Sequence, residues 1–167
     1  MKVAVFGAGM MARAVVHDLL RQDDVTEVRV ADRDRKRLAA FRRTVAAPNL
    51  RTTVARAEVG REAEKLICGC DVAVSCVPYF LNETLTRAAI ACGAHFCDLG
   101  GNNDIVHRQF ALDARARRAG VTVVPDCGLA PGLVSIIAAD AVGRLDTCDA
   151  IRLRVGGLRG PARRSGA

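Results

Sequence analysis

Two groups of residues have types and spacings that could do chemistry. The first is Gly7-Ala8-Gly9-Met10-Met11-Ala12, a G-x-G-x-x-A run, with a carboxylate, Asp32, about 20 residues beyond it. In such a run the first glycine turns the chain out of a strand. The second leaves bare backbone against a diphosphate, and the third small residue lets a helix lie close on a sheet. Free N–H groups at a helix start, with about half a positive charge from the aligned peptide dipoles, favour phosphate oxygens. Gly7, Gly9, Met10 and Met11 are therefore candidate dinucleotide-binding residues, and Asp32 is placed for the adenosine ribose hydroxyls. Asp32 points to NAD as the cofactor, because a carboxylate repels a ribose phosphate. Arg33 keeps NADP open, since its guanidinium can grip that phosphate or stack on adenine.

The second group is Asp98-Leu99-Gly100-Gly101 together with Pro125-Asp126-Cys127-Gly128-Leu129-Ala130-Pro131-Gly132. Two glycines and two prolines in eight residues make a rigid turn, with Pro131 placed to start a helix. The amino end of that helix is expected to aim N–H groups at the nicotinamide half of a bound dinucleotide. Val77-Pro78-Tyr79 falls at the matching point of an earlier strand.

These groups need a scaffold, and the hydrophobic pattern supplies one. Lys2 to Phe6, Glu27 to Asp32, Leu50 to Ala55, Asp71 to Val77, His95 to Leu99 and Val121 to Val124 read as six short strands. Helical spacing lies between them: Ala12, Val15, Val16, Leu19 and Leu20; then Leu38 and Phe41; then Arg61 to Cys68. Leu81, Leu85, Ala88, Ala89 and Cys92 follow, then one helix from about Asp104 to Ala119. Strands alternating with helices at this spacing demand parallel pairing. Right-handed crossovers give an α/β, Rossmann-type doubly wound parallel sheet of order 3-2-1-4-5-6, with ligands at the carboxyl edge. A last helix should bury Leu133 or Val134, Ile137, Ala138, Ala141 and Leu145. Ile151, Leu153 and Val155 alternate with Arg152 and Arg154, as in a half-buried strand.

At 167 residues, 50% hydrophobic and 26% charged, the chain suits a soluble globular domain. No apolar run approaches the roughly 20 residues a membrane span requires, and with strand and motif at the very start no signal peptide is expected. A cytoplasmic setting is expected. The seven cysteines show no zinc-ligand spacing with a histidine, so no metal is expected and most cysteines read as small reduced core residues. The net charge of +7 comes from arginine-rich helices. It reads as a solvated surface rather than a nucleic-acid face, since aromatic residues are only 4%.

At Gly7 to Ala12, Cys97 to Gly101, Pro125 to Gly132 and Val155-Gly156-Gly157-Leu158, the chain resembles the saccharopine dehydrogenase family, most of all its lysine 6-dehydrogenase branch. The resemblance runs to about Leu158, and the G-L-A-P-G run is its most specific part. It implies a nicotinamide-dependent oxidoreductase acting on a carbon–nitrogen bond of an amino acid, usually as a homodimer. It also implies that Val77, Pro78, Asp98, Gly100, Gly128 and Leu129 line the cofactor. Arg159 stands where that family has proline, and the family continues into a second, substrate-binding domain. The expected organisation is a dinucleotide-binding domain over 1–147, the first strand of a truncated substrate or dimerisation domain over 148–158, and a disordered basic tail over 159–167.

An amine that gives up hydride must first lose a proton. A free lysine amine has a pKa of about 10.4, so a base or desolvation must lower the cost. Asp126 is the first candidate for this substrate-facing role, with Asp98 second and Tyr79 and Cys127 as neighbours. Hydride transfer needs no nucleophile, and His17, His95 and His107 read as structural or solvent-facing. A dinucleotide-binding module without turnover is the alternative.

Overall fold

A computed structural model describes residues 1–156 of the chain. Six parallel strands, β1 (Lys2–Phe6), β2 (Glu27–Asp32), β3 (Leu50–Val54), β4 (Val72–Ser75), β5 (His95–Asp98) and β6 (Val123–Val124), form one sheet of order β3-β2-β1-β4-β5-β6. Seven helices connect or follow them: α1 (Met10–Leu19), α2 (Arg35–Thr44), α3 (Gly60–Ile67), α4 (Asn82–Cys92), α5 (Asn103–Phe110), α6 (Asp113–Ala119) and α7 (Leu133–Val142). This is the doubly wound sheet that the alternation of elements requires. The chain reverses direction of growth between β1 and β4, where such sheets bind ligands at their carboxyl ends.

β1 shows why the sheet is covered on both sides. Val3, Val5, Ala4 and Phe6 are all at most 1% exposed, and successive strand residues point to opposite faces. Val3 and Val5 pack with Val16 of α1 and Leu38 and Phe41 of α2. Ala4 and Phe6 pack with Ile67 of α3, Leu85 of α4 and Phe96 of β5. Burying each large side chain contributes about 1.5–3 kcal/mol, so both helical layers are anchored on this central strand.

The expected helix from Asp104 to Ala119 is instead two, α5 and α6. At the break the Leu112 N–H donates to Gln109 O at 2.9 Å. This tightened turn swings Leu112 into a small cluster with Ile90, Ala116 and Val121. β6 is shorter than expected, because only Phe96 and Cys97 of β5 pair with it.

The last helix and the strand expected at the carboxyl-terminal end are corrected. α7 starts at Leu133, two residues after Pro131, and buries none of its side chains. Leu133, Ile136, Ile137 and Leu145 are all at least half exposed, and none of them joins a buried cluster. Ile151 to Val155 forms no strand and is exposed throughout, since no described strand lies alongside to accept its hydrogen bonds. The expected tail over 159–167, and Gly157-Leu158, lie outside the described residues.

The cysteines are also less uniform than expected. Cys68 and Cys92 form a disulfide that ties the end of α3 to the end of α4. Of the five free thiols only Cys70 is fully buried, while Cys127 and Cys148 are exposed. No helix among the described residues is long and apolar enough to cross a membrane.

Candidate functional site

The glycine-rich turn joins β1 to α1 at the carboxyl edge of the sheet. Gly7 has φ +99°, and a Cβ there would stand 2.9 Å from the Cys76 carbonyl oxygen. Only glycine tolerates both that backbone and the close pass of the loop after β4. Gly9 caps α1 with no side-chain hydrogen bond, and a Cβ added to it would meet open space. The amide groups of Gly9, Met10 and Met11 find no acceptor among the described residues. Met10 is 84% exposed, and Ala12 is fully buried beneath, where it lets α1 approach the sheet. The result is an open amide cluster of the kind that holds a diphosphate.

Asp32 ends β2 and is 8% exposed. Its Oδ2 accepts the Ala8 N–H at 2.9 Å and its Oδ1 accepts the Asp34 N–H at 2.8 Å. The carboxylate thus braces the glycine turn against the start of α2. Asp34 in turn caps α2, accepting the Lys36 and Arg37 N–H groups. The hydrogen bonds from the Arg37 and Lys36 amides hold its carboxyl below the usual value.

A cavity of about 350 Å³ opens beside this brace. Arg33, Arg37 and Glu58 line it with Asp32, and Ala55, Ala57, Val77, Pro78, Phe80 and Leu81 form its apolar part. Two guanidinium groups therefore stand at its polar wall. Arg33 lies 3.8 Å from Glu58 and Arg37 lies 3.7 Å from Asp32. Both distances exceed the roughly 2.7–2.9 Å of a charge-assisted hydrogen bond, and among the described residues neither guanidinium makes a hydrogen bond. Arg37 escaped sequence reasoning. Arg33 precedes the Asp34 cap and Arg37 lies in the first turn of α2, so what brings them to one wall is the way the chain turns from β2 into α2.

On the other half of the edge, the loops after β5 and β6 interlock. Asp98 is 1% exposed. Its Oδ1 accepts the Gly100 N–H at 2.7 Å and the Asp126 N–H at 3.3 Å, and its backbone oxygen accepts the Cys127 N–H at 2.7 Å. Both oxygens of the Asp98 carboxylate are thus taken up within the protein, since Oδ2 accepts from Gln109 Nε2 at 2.6 Å. Gly128 packs on the Leu99 carbonyl, where any Cβ would clash. Leu129 is 62% exposed. Asp126 has φ +60°, and its Oδ1 is enclosed without a hydrogen-bond partner.

The amino end of α7 does not offer free donors, contrary to expectation. Leu133 N–H donates to Gly128 O at 2.8 Å, and Val134 N–H donates to Leu129 O at 3.0 Å. The compact Gly128–Gly132 turn folds its own carbonyls over the helix start. Among the thiols, burial pushes Cys76 up to about 12 and Cys97 up to about 11, and burial also raises Cys127. These thiols are poor nucleophiles at neutral pH. Among the described residues, no group of three or more His, Cys, Asp or Glu could hold a metal ion.

Comparison with known proteins agrees with this geometry. The family described as "Saccharopine dehydrogenase NADP binding domain" matches residues 3–124. Alpha-aminoadipic semialdehyde synthase, mitochondrial, of Bos taurus is 25% identical over 146 residues, covering 86% of this chain and 15% of that protein. Saccharopine dehydrogenase [NADP(+), L-glutamate-forming] of Schizosaccharomyces pombe is 24% identical over 140 residues, covering 84% of this chain and 30% of that protein. Among solved structures, apo saccharopine dehydrogenase (L-Glu forming) from Saccharomyces cerevisiae superposes with a TM-score of 0.72 at 22% identity, over 85% of this chain and 30% of that one. The chain thus spans less than a third of the length of these relatives. By the match over residues 3–124, the chain belongs to the family of saccharopine dehydrogenase NADP-binding domains.

Proposed function

We propose that this chain binds NADP and serves as the dinucleotide-binding part of an oxidoreductase acting on a carbon–nitrogen bond of an amino acid. One observation carries the reading. The uncapped amide cluster at Gly9 to Met11 shares an edge with a cavity whose polar wall bears Arg33 and Arg37. The preference for NAD drawn from Asp32 gives way here, because both oxygens of that buried carboxylate already accept backbone N–H groups. Two exposed guanidiniums nearby supply forked donors for a ribose phosphate. The fit also agrees with the NADP named in the family description and in the fission-yeast relative.

In this reading Gly9, Met10 and Met11 hold the diphosphate, Arg33 and Arg37 the ribose phosphate, and Val77 and Pro78 an apolar wall. Bound NADP supplies the hydride acceptor or donor. Gly100, Gly128 and Leu129 form the backbone beside the nicotinamide end. Asp126 accepts a proton from the substrate amine, with its loop placed by Asp98. A second reading, a binding module without turnover, is favoured by α7, none of whose side chains is buried, so that it offers the substrate side of the site no packed wall.

Fluorescence titration with NADPH and NADH tests the cofactor. NADPH should bind at least about tenfold more tightly, and Arg37→Ala should remove most of that difference, as loss of a charge-assisted hydrogen bond of about 1.5–3 kcal/mol requires. Equal affinity for the two would defeat the NADP reading, and no binding of either would defeat the dinucleotide site. Amino-acid-dependent reduction of NADP separates the enzyme from the module. Intact binding with no turnover on any amine supports the module.

A further inference from the structure

Six polar or charged side chains are buried in the described chain: Asp32, Ser75, Asn82, Thr86, Asp98 and Gln109. Asp32 braces the glycine turn, and the other five are hydrogen-bonded to one another in a single run. Ser75 Oγ, at the end of β4, donates to Asn82 Oδ1 at 2.6 Å. Thr86 Oγ1 donates to the Asn82 backbone oxygen at 2.8 Å. Gln109 Nε2, reaching in from α5, donates to Thr86 Oγ1 at 2.9 Å and to Asp98 Oδ2 at 2.6 Å. Asp98 Oδ1 then accepts the Gly100 and Asp126 amides.

Such a run costs free energy to bury and is tolerable only when its members satisfy one another. An apolar set of the same size would pack these helices as well. What apolar residues would not do is fix where two irregular loops stand. Beyond the two-residue strand β6, Gly100-Gly101 and Asp126-Cys127 are joined by one backbone bond, Cys127 N–H to Asp98 O, and by the Asp98 carboxylate, whose Oδ1 is the acceptor the two loops share. Asp98 is itself held from behind by Gln109. Gln109 is 3% exposed and its own Oε1 is unpartnered, so its amide is committed on the donor side, toward Asp98 and Thr86.

We infer that Gln109 and Asp98 are a positioning pair for the nicotinamide half of the site. Gln109 from α5 and Asp98 from the end of β5 set the two loops that face the reacting end of the cofactor, without touching it. This role rests on the dinucleotide reading above. Gln109 keeps both oxygens of a buried carboxylate in use. Without its donor, Asp98 would turn or draw in water, and the Gly100 and Asp126 amides would lose their shared acceptor. Among the described residues, the adenosine half, formed by Gly9, Asp32, Arg33 and Arg37, shares no hydrogen bond with this run.

The test compares two probes on wild-type protein and on Gln109→Met, which keeps volume and removes the donor. NADPH occupies both halves of the site, whereas 2′-phospho-ADP-ribose lacks the nicotinamide ring. Gln109→Met should weaken NADPH by about tenfold, leave 2′-phospho-ADP-ribose within about twofold, and alter the emission of bound NADPH. Equal weakening of both probes, or of neither, overturns the positioning role and leaves the dinucleotide reading intact. Wild-type protein that binds neither probe overturns both. If Gln109→Met fails to fold, amide hydrogen exchange in the wild type decides. Gly100 and Asp126 amides should exchange slowly and become slower with NADPH than with 2′-phospho-ADP-ribose, and rapid exchange or no difference overturns the role.

Discussion

Gly100 lies so close to Asp126 that a Cβ on Gly100 would stand 2.9 Å from the Asp126 Cα. The Cβ would also meet the Asp126 carboxylate, and because the Cα is backbone, turning that side chain alone does not relieve the clash; φ of Gly100 is +71°. Gly100→Ala should therefore cost about 1–3 kcal/mol from strain at this conformation, and more if the loops separate. Urea unfolding should show a lower midpoint with an unchanged slope. An unchanged midpoint would mean that the loops are not interlocked as described.

Asp32 is expected to matter more for the shape of the site than for direct contact with sugar. Asp32→Ala leaves the Ala8 and Asp34 amides without their acceptor, at about 1–3 kcal/mol for an unsatisfied buried group. Stability should fall and affinity for NADPH and NADH should fall together. A selective loss of NADH alone would instead assign the carboxylate to the ribose hydroxyls.

The thiols should divide into two classes. At pH 8, an alkylating reagent should modify exposed Cys127 and Cys148 well before Cys76 and Cys97, whose thiols burial holds near 12 and 11. The same shift has a sign for stability. A thiol that is harder to ionise when folded binds more protons in the native state between its ordinary value near 9 and its folded value. Its contribution is complete below pH 9 and is lost as pH rises towards 11 and 12. Midpoints in urea should fall across that window, less steeply in Cys76→Ala; a flat profile to pH 11 would refute the burial.

The apolar surface of α7 makes a prediction about association. Ile136 and Ile137 are 69% and 58% exposed, and contiguous exposed apolar residues mark interfaces. Ile136→Glu should leave folding stability within about 0.5 kcal/mol, as for a surface position. Sedimentation velocity should show less self-association than in the wild type. A loss of stability comparable to a core substitution would show that α7 packs more deeply than described.

Much of the dinucleotide half was legible in the chain itself, because its determinants are local. Gly7, Gly9 and Ala12 act through backbone conformation and size at fixed spacing, and strand alternation with helices leaves few ways to order a sheet. Residues such as Arg37 sat in plain view as a charged helix face. Its relation to the cavity depends on how α2 meets β2, which spacing alone does not specify.

The polar run shows the other limit. Asn82, Thr86 and Gln109 fall on helix faces otherwise given to Leu85, Ala89, Ile105 and Val106, a sign that polar groups were headed for the core. Which of them meet, and that Asp98 receives Gln109 and the loop amides, depends on residues up to 28 positions apart converging across three elements. The sequence by itself determined the sheet order and the bare helix start, since both follow from periodicity and glycine placement. Only the tertiary structure decided that Asp32 and Asp98 are braces and that α7 stands uncovered. A carboxylate's role is set by the donors around it, and a helix's burial by what packs on it.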